Sequence, residues 1–306
     1  MEMQMNELLR ELCLSPGIAE GERAPDALAA LGPVTRTPAG SFFCTVCPPK
    51  DGGPHILLDA HLDEIGLIVT QVTDEGFIRA AACGGIDRRL LPASAVTIHA
   101  EEPVPAVVCS VPPHIQKGDT GKAMKADAIL LDAGLDPAHA RERVRPGDRV
   151  TFDAPFASLL GGNVTCKALD DRAGCAAVLR AGELLAENKP ACGVSVALTS
   201  LEETGGPGAG TAAYALCPTH AIVVDVSFAR CEGAPKHVTA TLGSGAMIGI
   251  APILDRRMSD GLRACAEKHG IAYTMEVMGG STGTNADAIA ASRAGVRTGM
   301  VSIPQK

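Results

Sequence analysis

A chain of 306 residues, 46% hydrophobic and 20% charged, is long enough for one large domain with a smaller one inserted. Its formal net charge of −8, with no cluster of Lys and Arg, excludes a general nucleic-acid binder. The longest apolar runs, such as Val194 to Leu198 and Ala221 to Val224, are strand-sized, which excludes a membrane-spanning helix.

Met1 to Arg10 is polar and amphipathic and lacks an apolar signal core, so a cytoplasmic location is expected. Met5, Leu8, Leu9 and Leu12 fall at helical spacing and predict an opening helix, stopped by Ser15-Pro16-Gly17. Ser41 to Val46 and His55 to Ala60 read as strands separated by the turn around Pro48 to Pro54. Between about Val69 and Ala157 short β-type runs (Gly66 to Val72, Phe77 to Ala81, Ala95 to His99, Ala106 to Val111, Arg149 to Phe152) are punctuated by Gly and Pro. That segment reads as a small β-rich domain. After Gly161-Gly162 helix and strand alternate: helix Asp171 to Glu187, strand Val194 to Ser200, helix Gly208 to Leu216, strand His220 to Val226. Helix Met258 to His269, strand Ala272 to Val277, helix Thr284 to Ala294 and strand Arg297 to Ile303 follow. Such alternation implies an α/β sheet with helices on its faces, interrupted in sequence by the β-rich segment.

Eleven cysteines are an odd number in a large chain with no secretion signal, and most sit among apolar neighbours. They read as small hydrophobes. Cys44-Thr45-Val46-Cys47 is the one CxxC, and it lies in a strand-like run with no second pair to complete a zinc site.

Chemistry concentrates where apolar runs give way to loops. Leu57-Leu58-Asp59-Ala60-His61-Leu62-Asp63-Glu64 ends one such run; Asp170-Asp171, Glu202-Glu203 and Asp225 end others. In open α/β sheets, ligands gather outside the carboxyl ends of the strands, so one imidazole and several carboxylates would converge there. Taken singly each has a bland reading: a hydrogen-bonded His61, a solvated Glu202-Glu203 pair, a capping Asp170 or Asp171. Yet Glu202-Glu203 precede Thr204-Gly205-Gly206-Pro207-Gly208, which cannot continue as a surface helix. Paired carboxylates repel unless a cation or a shared proton compensates. Asp63, two residues beyond His61 on the same face of an extended segment, can accept the second N–H of a metal-bound imidazole. One of Asp170 and Asp171 can cap its helix while the other points at the site. Asp225 ends an almost wholly apolar strand, and a buried acid needs a partner. The set suits metal-assisted hydrolysis with two ions, and mixed imidazole and carboxylate ligands favour zinc or cobalt.

The chain resembles the tetrahedral aminopeptidase family of cocatalytic metallopeptidases, which includes glutamyl and deblocking aminopeptidases, some of them catalogued as endoglucanases. The likeness runs through DAHLDEIG (Asp59 to Gly66), GGIDRRLLP (Gly84 to Pro92), PPH (Pro112 to His114), GD (Gly147-Asp148), KALDDRAG (Lys167 to Gly174) and LEETGGPGA (Leu201 to Ala209). It continues through VDVS (Val224 to Ser227), LGSG (Leu242 to Gly245), GGSTGTNADAI (Gly279 to Ile289) and GVRTGMVSIP (Gly295 to Pro304). The resemblance implies a metallopeptidase-type mixed sheet flanked by helices, formed by residues 1–69 and 161–306. Residues 70–160 would be a barrel-like dimerisation domain whose dimers build a hollow dodecamer. It also implies that His61, Asp170 and Asp225 hold one ion, that Asp170 bridges to a second ion held by Glu203, and that Glu202 is the general base. Asp63 would orient His61. Peptides with a free N-terminus would be the substrates.

One departure stands out. The family follows its last strand with a His that completes the second metal's shell, whereas this sequence ends Ser302-Ile303-Pro304-Gln305-Lys306. The alternative is therefore a truncated, weakly active or inactive metal-binding subunit. A glycosidase is disfavoured because His61 and Asp225 have no task in that chemistry. Pocket walls are expected from Gly243 to Ile250 and Met278 to Thr284, where small and apolar residues imply a small or apolar preferred side chain.

Overall fold

Apolar residues at a period of 3.6 and runs of β-branched residues generate helices and strands that largely alternate after Leu169. A computed structural model describes residues 2–19, 21–112, 114, 124–125 and 128–306, so Pro113 of the PPH motif lies outside the described residues. Contacts divide the chain into two units: 1–15, 22–63 and 168–306 form the first, 16–21 and 64–167 the second.

The first unit contains helices α1 (Glu2–Leu14) and α2 (Asp26–Ala29) and strands β1 (Val34–Arg36), β2 (Phe42–Cys47) and β3 (His55–His61). The second contains β4 (Gly66–Val72), β5 (Ile78–Cys83), β6 (Ala95–His99), β7 (Pro103–Val108), β8 (Leu130–Asp132), α3 (Pro137–Arg143), β9 (Arg149–Phe152), β10 (Ala157–Ser158) and β11 (Val164–Thr165). The chain then returns to the first unit through α4 (Leu169–Asn188), β12 (Gly193–Thr199), α5 (Pro207–Leu216), β13 (His220–Phe228) and β14 (Ala246–Ile250). It ends with α6 (Arg256–His269), β15 (Tyr273–Val277), α7 (Asn285–Ala290) and β16 (Arg297–Gln305).

The first unit is an eight-stranded mixed sheet in the order β1-β2-β12-β3-β13-β16-β14-β15. Its centre, β12, β3, β13 and β16, is parallel, while β2 and β14 join antiparallel. Every residue of β12 is buried, as expected for a central parallel strand covered on both faces. One face packs Leu58, Val196 and Leu198 against Cys175, Val178 and Leu179 of α4. The other packs Leu57, Ala197 and Val223 against α5 and α7 through Ala209, Ala213 and Ile289. Cys175, Val178 and Leu179, at helical spacing along α4, therefore supply one layer. The second unit closes six strands, β4-β5-β8-β7-β6-β9, into a barrel filled by Leu67, Ile78, Val96, Ile98, Leu131 and Val150.

The departures from expectation have local causes. β7 covers 103–108 rather than 106–111, because its buried residues Val104, Ala106 and Val108 alternate with Pro103 and Pro105. Proline reads as a strand breaker and hid that alternation. Helix α3 begins Asp136-Pro137, and the Asp136 carboxylate accepts from the N–H groups of Ala138 and His139, a capping signal easily lost inside a β-rich segment. Helix α7 stops at Ala290 rather than Ala294, since Arg293 and Gly295 take positive φ. Both cysteines of the CxxC lie in β2 three residues apart, hence on opposite faces, and they cannot share an ion. Among the described residues no disulfide joins any of the eleven cysteines.

Candidate metal centre

Sheet order brings the critical strand ends together. β3 is flanked by β12 and β13, with His61 level with Thr199 and Asp59 level with Val223. Asp225 on β13 is level with Ser302 on β16. Loops leaving β3, β12 and β13 at their carboxyl ends therefore converge on one rim.

His61, 1% exposed, is held at both ring nitrogens. Nδ1–H donates to the Asp63 carbonyl at 3.0 Å, so Nε2 is the nitrogen turned toward the acids. Nε2 lies 3.0 Å from Asp170 Oδ1 and 3.9 Å from Asp225 Oδ1. Burial opposes charge on this imidazole. The bonds to Asp170 and Asp63 and the charges of Asp225 and Asp171 outweigh it and hold its pKa well above 6.5. Asp63 thus meets the ring mainly through its main chain, its carboxylate lying 3.5 Å from Nδ1. That fully buried carboxylate accepts instead from the N–H groups of Glu202 and Glu203, each at 3.1 Å.

The start of α4 separates its two acids. Asp170 and Asp171 depart from helical φ/ψ and are joined by a cis peptide bond. Asp171 turns inward, accepting from the N–H of Gly174 at 2.9 Å and of His61 at 3.3 Å. Burial first, then the Asp225 charge, pushes its carboxyl well above the usual range. Asp170 turns outward, its side chain 54% exposed, toward His61. Gly174 leaves room for this arrangement, because a Cβ there would lie 2.3 Å from Asp171 Oδ1. Gly174→Ala should therefore cost about 1–3 kcal/mol by overpacking, read as a lowered urea midpoint. An unchanged midpoint would mean the Asp171 carboxylate moves aside freely.

Glu202 and Glu203 follow β12 in a turn entered through Leu201 at φ 67°. The turn closes where Gly208 of α5 meets the end of β12 so tightly that a Cβ would strike the Ser200 carbonyl. Burial raises both carboxyls, and the Glu203 pKa reaches about 7. Burial likewise lifts Asp225 to about 7, the nearby His61 working against it. Among the described residues, ligand atoms of His61, Asp170 and Asp225 lie within 4.8 Å of one another, as do those of His61, Glu202 and Glu203. The donor set fits a divalent cation: an imidazole with one nitrogen anchored and the other aimed at several carboxylates, more acids than the single imidazole can balance.

Other site residues escaped the sequence reading. Asp59 is fully buried, and burial brings its pKa to about 7. It accepts from Asn285 Nδ2 at 2.9 Å, and the same amide donates to Thr199 at 2.7 Å, tying α7 to the rim. A charged residue inside the apolar run Leu57 to Ala60 was the available signal. Asp287 accepts from the N–H groups of Thr282 and Gly283, fixing the loop between β15 and α7. Beside the cluster lies a cavity of about 650 Å³, lined in part by Met278, Thr282, Gly283, Thr284 and Glu276. The expected wall at 278–284 is present, whereas 243–250 does not line the cavity.

Comparison with known proteins places the chain. Residues 40–306 match the family model described as M42 glutamyl aminopeptidase. A lysyl aminopeptidase of Pyrococcus furiosus is 28% identical over 260 residues, covering 83% of this chain and 75% of its own. The aminopeptidase APDkam598 of the archaeon Desulfurococcus kamchatkensis superposes with a TM-score of 0.90 at 30% identity, over 99% of this chain and 87% of that one. The TET1 peptidase of Pyrococcus horikoshii, which can assemble into a tetrahedron or a large octahedral shell, gives 0.84 at 30% identity over 98% and 91%. The chain belongs to the M42 glutamyl aminopeptidase family.

Proposed function

We propose that this protein is a metal-dependent aminopeptidase that removes the N-terminal residue of peptides. The observation that carries the reading is the meeting of His61 Nε2 with the Asp170 and Asp225 carboxylates, at 3.0 and 3.9 Å, while Nδ1 is anchored elsewhere. His61, Asp170 and Asp225 would hold one ion, and Asp170 and Glu203 would share a second. Zinc and cobalt match such mixed ligands. A divalent ion bound there supplies Lewis acidity to the scissile carbonyl and lowers the pKa of water toward ~7.

This chain's own groups do the rest. Asp63 fixes the backbone of Glu202 and Glu203 through their N–H groups and the His61 tautomer through its carbonyl. Glu202, raised by burial, takes a proton from the attacking water and delivers it to the departing amine. The acidic rim attracts the substrate's α-ammonium group and so restricts cleavage to the first residue. Among the described residues no helix is long and apolar enough to cross a membrane. A homo-oligomer accords with the self-assembly of the Pyrococcus horikoshii relative, and a cytoplasmic location and a dimerisation role for the barrel unit belong to the same proposal. The matches lend nothing to an inactive subunit.

Aminoacyl p-nitroanilides and a short peptide in free and N-acetylated forms test the reading. Chelation is expected to abolish hydrolysis, divalent metal to restore it, and acetylation to block it. Hydrolysis indifferent to chelation, or equal rates on the acetylated peptide, would sink it.

A further inference from the structure

The cavity beside the metal cluster is lined by one carboxylate, that of Glu276, which the hydrolytic chemistry does not use. Glu276, half-buried near the end of β15, accepts from two hydroxyls: Ser227 donates to Oε1, and Ser302 donates to Oε2 at 2.6 Å. Ser227 belongs to β13, the strand that carries Asp225, and Ser302 to the neighbouring β16. Ser227 lies two residues past Asp225 on the same face of β13, and Ser302 is level with Asp225 on β16. The carboxylate is therefore tied by neutral donors to the patch of sheet that presents Asp225. A carboxylate offers about four acceptor sites, so two hydroxyls leave capacity for another donor. Among the described residues none of the ion pairs involves Glu276, although Lys306 also lines the cavity. The rest of this wall is largely apolar, through Phe228, Met278 and Met300.

A negative charge at the end of an apolar wall matches a side chain with an apolar stem and a cationic head. An N-terminal glutamate would instead bring a second carboxylate against Glu276, and a neutral aliphatic residue would leave the fixed charge unanswered. We propose that Glu276 makes this site select peptides whose N-terminal residue is cationic, lysine above all. The proposal rests on the aminopeptidase reading and names its substrate class.

The metal-loaded protein would be assayed on lysyl, norleucyl and glutamyl p-nitroanilides, norleucine having nearly the lysine stem without the ammonium. The lysyl kcat/KM is expected to exceed the norleucyl by roughly tenfold or more, with glutamyl slowest. The lysyl advantage should shrink as ionic strength rises from about 0.01 M to about 1 M. In Glu276→Gln, whose amide oxygen can still accept from a serine, the lysyl-to-norleucyl ratio should fall roughly tenfold. In Glu276→Lys the order of lysyl and glutamyl should invert. If neither variant folds, the unmodified protein's panel and its salt dependence decide alone. A norleucyl rate equal to the lysyl, or an unchanged ratio in folded Glu276→Gln, overturns the proposal while the aminopeptidase reading stands. Absence of chelator-sensitive cleavage on every anilide overturns both.

Discussion

Glu202→Gln is expected to retain bound metal while kcat falls by roughly 10²–10⁴-fold, the range a general base contributes. Gln preserves the shape of the side chain and leaves the Glu202 N–H free to donate to Asp63, so the turn after β12 keeps its anchor. What it removes is the group able to take a proton. Glu203→Gln should behave differently, because its carboxylate is proposed as a ligand: metal content should fall first and activity with it. The comparison is informative because the two side chains are adjacent, similarly buried, and both within ligand distance of His61. Metal analysis after gel filtration, alongside kcat on a fast anilide, separates the roles. A Glu202→Gln protein within tenfold of full turnover, or one that loses its metal, would remove Glu202 as the base.

Much of this centre was legible before any coordinates, for a physical reason. Acids at the ends of apolar runs have few stable environments, and an open α/β sheet sends such ends to one rim. His61, Asp225 and the pairs Asp170-Asp171 and Glu202-Glu203 could therefore be named together although up to 164 positions separate them, while the choice of Asp170 within its pair was what the family resemblance implied. What pattern could not give was direction. Whether Asp170 or Asp171 faces outward depends on the irregular start of α4 and on the space left by Gly174. Likewise Asp63 uses its carbonyl for His61 and its carboxylate for the following turn, a division no spacing reveals.

The helices and parallel strands followed their periodicity closely, since burial on one stripe or on both faces leaves a strong imprint. The barrel unit was harder. Its strands are short, and in β7 proline occupies the outward positions, so the breaker signal masked the alternation. Glu276 was missed for a related reason. It sits just before the loop expected to form the pocket wall, and only strand pairing brings it to Ser302 and Ser227. The small or apolar preference expected from 243–250 and 278–284 and the cationic preference proposed from Glu276 therefore rest on different segments of the chain.

Metal removal should destabilise the protein most strongly at alkaline pH. In the metal-free chain burial raises Asp59, Asp225 and Glu203 to about 7, far above ordinary carboxyls, and His61 is held well above 6.5. Each of these groups binds its proton more tightly folded than unfolded. The folded state therefore carries more protons between about pH 4 and pH 7 and, through His61, beyond, so stability falls as pH rises across that window. A divalent ion takes the place of those protons, and protons compete with it at low pH. The metal-loaded protein should accordingly lose little over the same range. With free metal at about 1,000 times Kd the contribution is about 4 kcal/mol, or a Tm difference on the order of 10 °C in a unit of this size. Thermal melts of chelated and metal-saturated protein at pH 5.5, 7 and 8.5 would measure the gap. It should widen at each step, chiefly because the chelated midpoint drops. A gap that stays constant, or narrows with pH, would mean that the raised acids and the metal do not share a site.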